Sequence, residues 1–180
     1  MPPDEIKAIL RGADDLILRG GRALLVKVLK GSHAKDVLKL GLDKNPLHGF
    51  YRALSAEDVL ARIDWMILHR YLAIEYDGRM PLLVYAPDGW DIEKDTRSDE
   101  LLREFDEMIA SDVRPFNMEY LRDRTRDMIW LLLVKVEATH NTKYIPVLKA
   151  WAEVDYRKVR ERIRHVIAAL NESAEFSIEI

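Results

Sequence analysis

The residues best equipped for chemistry in this chain form one short cluster: Lys27, Lys30, Gly31, Ser32, His33 and Lys35, with Arg22 before it and Lys44 after it. Ammonium and guanidinium groups, a hydroxyl and backbone N–H groups beside a glycine are all donors. Donors so grouped hold phosphate oxygens and break no bonds. Ser32 also reads as a plain helix N-cap, and capping and phosphate binding can alternate at one hydroxyl.

No catalytic constellation accompanies the cluster. His33, His48, His69, His140 and His165 show no H-E-x-x-H or H-x₃₋₅-H spacing with nearby carboxylates, and zero Cys removes thiolate nucleophiles and cysteine-ligated metals. The pairs Asp14-Asp15 and Glu57-Asp58 fall at a helix start or on a surface, where the helix dipole accounts for them. There is no G-x-x-x-x-G-K-[ST]. The expectation is a non-enzymatic chain with no catalytic residue, metal or cofactor.

Charge patterning sharpens this reading. The 180 residues are 48% apolar and 33% charged, which excludes wholesale disorder, and the net charge of −3 argues by itself against a nucleic-acid binder. The total hides an asymmetry. Residues 18–52 carry eight Lys or Arg against Asp36 and Asp43, a balance of +6, whereas residues 53–96 carry four against nine acids. The longest apolar run, Ile129 to Val134, is far short of the roughly 20 residues a membrane-spanning helix needs. No export signal is visible at the N-terminus, so a cytoplasmic location and no membrane are expected.

The elements that must position the cluster follow from periodicity. Leu24, Leu25, Val28 and Leu29 mark a helix from Gly21 to Leu29; Gly31-Ser32 breaks it, and Ser32 caps a second, His33 to Leu40. Residues 41–54 read as a structured connection, and Ser55 with Asp58 opens a helix to His69 as a capping box. Two β-prone runs, 72–76 and 82–85, flank Asp77-Gly78 as a hairpin whose returning strand Pro81 marks as an edge. Helices followed by a hairpin have the order of a winged helix. The acid-rich stretch 86–99 reads as a linker or a surface-hugging connection, with a domain boundary near residue 95. Helices are then expected over 100–109, 117–138, 143–152 and 155–170, the last with Tyr156, Val159, Ile163, Val166, Ile167 and Leu170 as its apolar stripe. The final residues, 171–180, read as a fraying tail. The fold class is mainly α with a small β-hairpin: a winged helix over 1–95 and an α-helical domain over 96–180.

Several residues in this order carry a resemblance. Gly21-Arg22, Leu24, Leu29, Lys30-Gly31-Ser32, Lys35, Gly41-Leu42-Asp43, His48-Gly49, Leu54-Ser55, the Ile63 to Ile67 stripe and Arg70-Tyr71-Leu72 resemble the RQC domain, the winged helix of RecQ-family DNA helicases, over residues 18–90. The resemblance implies docking on duplex, forked or junction DNA, with Lys30-Gly31-Ser32 at phosphates. It also implies a wedge at the hairpin tip, where Tyr76 or Met80 would meet a base and Arg79 a phosphate; Tyr76 as an ordinary cross-strand residue stands beside that role. The helicase motor and zinc module of the family are missing, so the chain resembles a stand-alone, minor lineage.

The expected partners are therefore DNA, with a helicase or repair protein in trans and a second copy of the chain as further candidates. DNA repair and replication are the processes this company implies. A basic face over Arg157–Arg164 offers a second phosphate contact. The competing expectation is a protein-interaction scaffold, with Trp130 and Trp151 in the interface of the helical half.

Overall fold

In the computed structural model, residues 1–176 are described. They form eight α-helices and one two-stranded antiparallel sheet. The chain divides into two compact units, one ending at Glu93 and the other beginning at Lys94.

The first unit holds α1 (Pro3–Ala13), α2 (Arg22–Leu29), α3 (Lys35–Lys39), α4 (Ala56–Leu68) and the strands β1 (Leu72–Asp77) and β2 (Met80–Tyr85). Its core is a single cluster in which Ile9 and Leu10 of α1, Leu25, Val28 and Leu29 of α2, Ile63 and Met66 of α4, and Leu72 and Leu83 of the hairpin are buried. These are the positions that apolar periodicity picked out on α2, α4 and the strands, because one stripe of each element must leave water. Ser55 caps α4 as the capping box requires: its Oγ accepts from the Asp58 N–H at 3.0 Å.

The hairpin pairs Leu72 with Tyr85 and Asp77 with Met80, leaving a two-residue loop of Gly78 and Arg79. Gly78 has φ +60°, the left-handed value that the first position of a type II′ loop demands. β2 is not an edge. The Leu18 N–H donates to the Leu83 carbonyl and the Leu83 N–H to the Gly20 carbonyl, at 3.0 and 2.9 Å. A short extended segment before α2 therefore pairs with the far side of β2, and Pro81 sits beyond that pairing, where its missing N–H costs nothing.

The expected linker is also corrected. Residues Pro87–Ser111 form one continuous helix, α5. Pro87 is tolerated because it is the first helical residue, and Asp88 in the first turn complements the dipole. The Trp90 ring lies 5.8 Å from that of Tyr85, and Ile92 packs on the first core. Polar composition made this stretch look unstructured, whereas these contacts hold it helical.

The second unit continues through α6 (Arg126–Ala138), α7 (Ile145–Val154) and α8 (Arg157–Phe176). Lys135 reaches from α6 to Asp95 (2.7 Å) and Asp99 on α5. α6 begins nine residues later than expected, since Asn117 only closes a turn ahead of a short 3₁₀ helix, Glu119–Leu121, by accepting from the Glu119 N–H. Asn141 accepts from the Lys143 N–H ahead of α7. In the stripe of α8, Val159, Ile163, Val166 and Leu170 are buried but Tyr156 is exposed. α8 runs on through residues expected to fray; residues 177–180 lie outside the described part. Trp151 is fully buried against Phe105, and Trp130 is half-buried, so Trp151 offers no surface to a partner. Among the described residues no helix is long and apolar enough to cross a membrane.

Candidate nucleic-acid interface

The cluster is built on the C-terminus of α2, whose last carbonyls would otherwise be orphaned. The Ser32 N–H donates to Lys27 and the Gly31 N–H to Val28, both at 2.9 Å, which is a Schellman closure with Gly31 at φ +75°. The Gly49 N–H also donates to Val28 (2.9 Å) and the Tyr51 N–H to Leu29 (2.8 Å), so the connection from Asn45 to Leu54 folds back over the helix end. Gly31 packs so closely there that a Cβ on it would lie 3.0 Å from the Gly49 Cα. Buried Asn45 anchors the connection, donating to the Gly12 carbonyl and the Asp15 carboxylate and accepting from the Leu47 N–H.

This fold-back decides which cations are available. Lys30 is half-buried, and its ammonium donates to the backbone carbonyls of Arg52 (2.8 Å) and Leu54. Lys27 is paired with Asp36, whose carboxyl is held below the usual aspartate range by the hydrogen bond from that lysine. Arg22 is paired with Asp64 of α4. The three are engaged in holding α2 to its neighbours. Exposed and without an ion-pair partner among the described residues, by contrast, are Lys35, Lys39, Lys44 and Arg52, with Arg79 at the hairpin tip.

Ser32 differs from expectation. α3 spans only five residues, with Ala34 at its N-cap, and the Ser32 hydroxyl accepts from the Ala34 N–H at 3.2 Å. The hydroxyl is thus a turn acceptor before the helix, and the helix itself is too short to offer a developed dipole. The Ser32 carbonyl meets the Nε2 of His48 at 3.0 Å, and the His48 ring lies edge-on to exposed His33, 5.2 Å between centroids. The Arg52 guanidinium lies across the Gly31–Gly49 approach. Ser32, His33, His48 and Arg52 therefore share one surface around Gly31. Arg52 was missing from the expected site: it lies in the basic window, yet no spacing rule links it to Gly31 across the intervening chain.

α4 faces the other way electrostatically. Glu57 and Asp58 are exposed on it, and Arg62 is committed to Glu5 of α1 at 3.2 Å. Tyr51 donates to the same Glu5 at 2.8 Å; burial and that carboxylate push its phenol far above the usual range. An acidic helix is a poor occupant of a groove walled by phosphates.

At the hairpin tip Tyr76 is 72% exposed and Met80 59% exposed. Directly opposed residues share a face, so Tyr76 goes with Pro81 and Met80 with Asp77, on opposite faces of the ribbon. Only one of the two can meet a given base plane.

A family model described as the RQC domain matches residues 4–108, more than half of the chain. The chain belongs to the RQC domain family, DNA-binding winged-helix domains of RecQ helicases. The match takes in α1 and most of α5, beyond the 18–90 that the sequence motifs cover. No curated protein and no solved structure matches the chain.

Proposed function

We propose that this chain is a non-catalytic DNA-binding protein whose RQC domain docks on duplex or branched DNA through phosphate contacts, acting with a helicase or repair machinery in trans. The observation that carries this reading is the division of labour among its cations: Lys27, Lys30 and Arg22 are occupied within the fold, while Lys35, Lys39, Lys44 and Arg52 are exposed on the segment between α2 and α4 without carboxylate partners among the described residues. Four such cations on one short segment of a net-negative chain favour a polyanion as ligand there. His33 and the Ser32–Gly31 turn beside Arg52 add donors to the same surface. Arg79 at the hairpin loop supplies a further phosphate contact, with Tyr76 or Met80 against a terminal base.

Fluorescence anisotropy of the full chain against duplex, forked, Holliday-junction and single-stranded DNA across salt tests this. Tighter binding to duplex ends or junctions, falling steeply with salt, is expected. A second reading, an interaction scaffold, draws on a mainly apolar cleft of about 600 Å³ in the second unit, lined by Pro115, Phe116, Ile145 and Pro146. It predicts no binding to any of the four DNAs at low salt.

A further inference from the structure

The second unit contains a cleft of about 610 Å³ beyond the residues that match the RQC domain. Five cations line it: Arg122, Arg124, Arg126, Arg157 and Lys158. They converge because the turn after Glu119–Leu121 runs into the start of α6, and the α7–α8 turn brings the start of α8 beside it. The one acid in the lining, Asp155, is buried and occupied: its carboxylate accepts from the Trp151 indole N–H and from the Tyr156 N–H, each at 2.6 Å. Arg157 pairs with Glu161 at 2.8 Å, but Arg124, Arg126 and Lys158 have no ion pair among the described residues.

The aromatic component is equally specific. Tyr156 is 57% exposed at the cleft, its backbone pinned by Asp155, and the Arg122 guanidinium carbon lies 4.7 Å from its ring centroid. An exposed ring flanked by cations, over a floor of Leu121, Ile129 and Val159, provides both a stacking platform and a phosphate track. Away from its ends a duplex keeps its bases inside its own stack and offers none to the ring; a carboxylate peptide uses the charge alone. We propose that this cleft binds a single nucleic-acid strand, its backbone on Arg124, Arg126 and Lys158 and a base against Tyr156.

The test uses the full chain, labelled oligothymidylate and oligouridylate of equal length, and a labelled duplex, titrated by anisotropy across salt. The triple variant Arg124→Ala, Arg126→Ala, Lys158→Ala should lose at least about tenfold in affinity for the single strands and about two from the log–log salt slope. Tyr156→Ala should lose about five- to a hundredfold. Both should bind the duplex as the wild type does, so failure of duplex binding and failure of this cleft are read separately; the two oligonucleotides distinguish DNA from RNA as the source. All four side chains are at least partly exposed, and unchanged melting curves confirm folding. The proposal is overturned if the wild type does not retain the single strands at low salt. Wild-type affinity in the triple variant, or equal displacement by polyglutamate with no effect of Tyr156→Ala, overturns it as well, the last outcome marking an acidic-peptide site.

Discussion

The ammonium of Lys30 donates to the main-chain carbonyl of Arg52, 2.8 Å away, tying the end of α2 to the connection that follows it. A lysine that reads from the sequence as a phosphate ligand is thus also a latch. Lys30→Ala should destabilise the fold by about 1–3 kcal/mol, since charge-assisted bonds to carbonyls are lost, whereas Lys35→Ala should stay within about 0.5 kcal/mol of wild type. Urea unfolding of the two variants checks this. An equal and negligible effect for both would show that the latch is not a determinant of stability.

Gly31 should not tolerate a side chain. At φ +75° and with the Gly49 Cα only 3.0 Å from a prospective Cβ, Gly31→Ala combines a left-handed backbone with a clash. A cost of roughly 1–2 kcal/mol is expected from the conformation alone, read as a lowered melting temperature. A wild-type melting curve would contradict the packing described.

The Ser55 cap can be tested separately from the interface. Ser55→Ala removes the acceptor of the Asp58 N–H and should cost about 1 kcal/mol. It should leave DNA affinity unaltered, because the capped end of α4 is acidic.

Acid should weaken the α2–α3 junction in a defined direction. The hydrogen bond from Lys27 lowers the Asp36 carboxyl below its ordinary 3.8, so the folded state favours the ionised form. The stabilisation is present above the ordinary aspartate value and disappears as pH falls through the lower folded value. Melting temperature should therefore drop on acidification below about pH 4, and Asp36→Asn should flatten that part of the profile. An identical profile in the variant would remove the pair from the account.

Local chemistry explains which features were legible in advance. The hairpin was readable because Asp77-Gly78 supplies a glycine, which takes φ +60° without steric cost, and α4 because Ser55 and Asp58 satisfy each other within one turn. The helix over Pro87–Ser111 was not, because it is held by Ile92 on the core of the first unit and by Lys135 against Asp95 and Asp99, partners distant in sequence. The same division runs through the site. Gly31 and the basic window are local facts, but the capture of Lys30 by Arg52 and Leu54 carbonyls depends on a fold-back that no periodicity encodes. Nor does any spacing foretell that Arg52 lies over Gly31, or that Asp64 occupies Arg22.

The most direct measurement is the salt dependence of duplex binding by the full chain and by the variant Lys35→Ala, Lys44→Ala, Arg52→Ala. Each phosphate contact contributes about 0.9 to the log–log slope. If these exposed cations carry the interface, the variant binds more weakly at low salt and its slope is shallower by about two to three. Wild-type affinity and slope in the variant would contradict the central claim and move the interface elsewhere on the molecule.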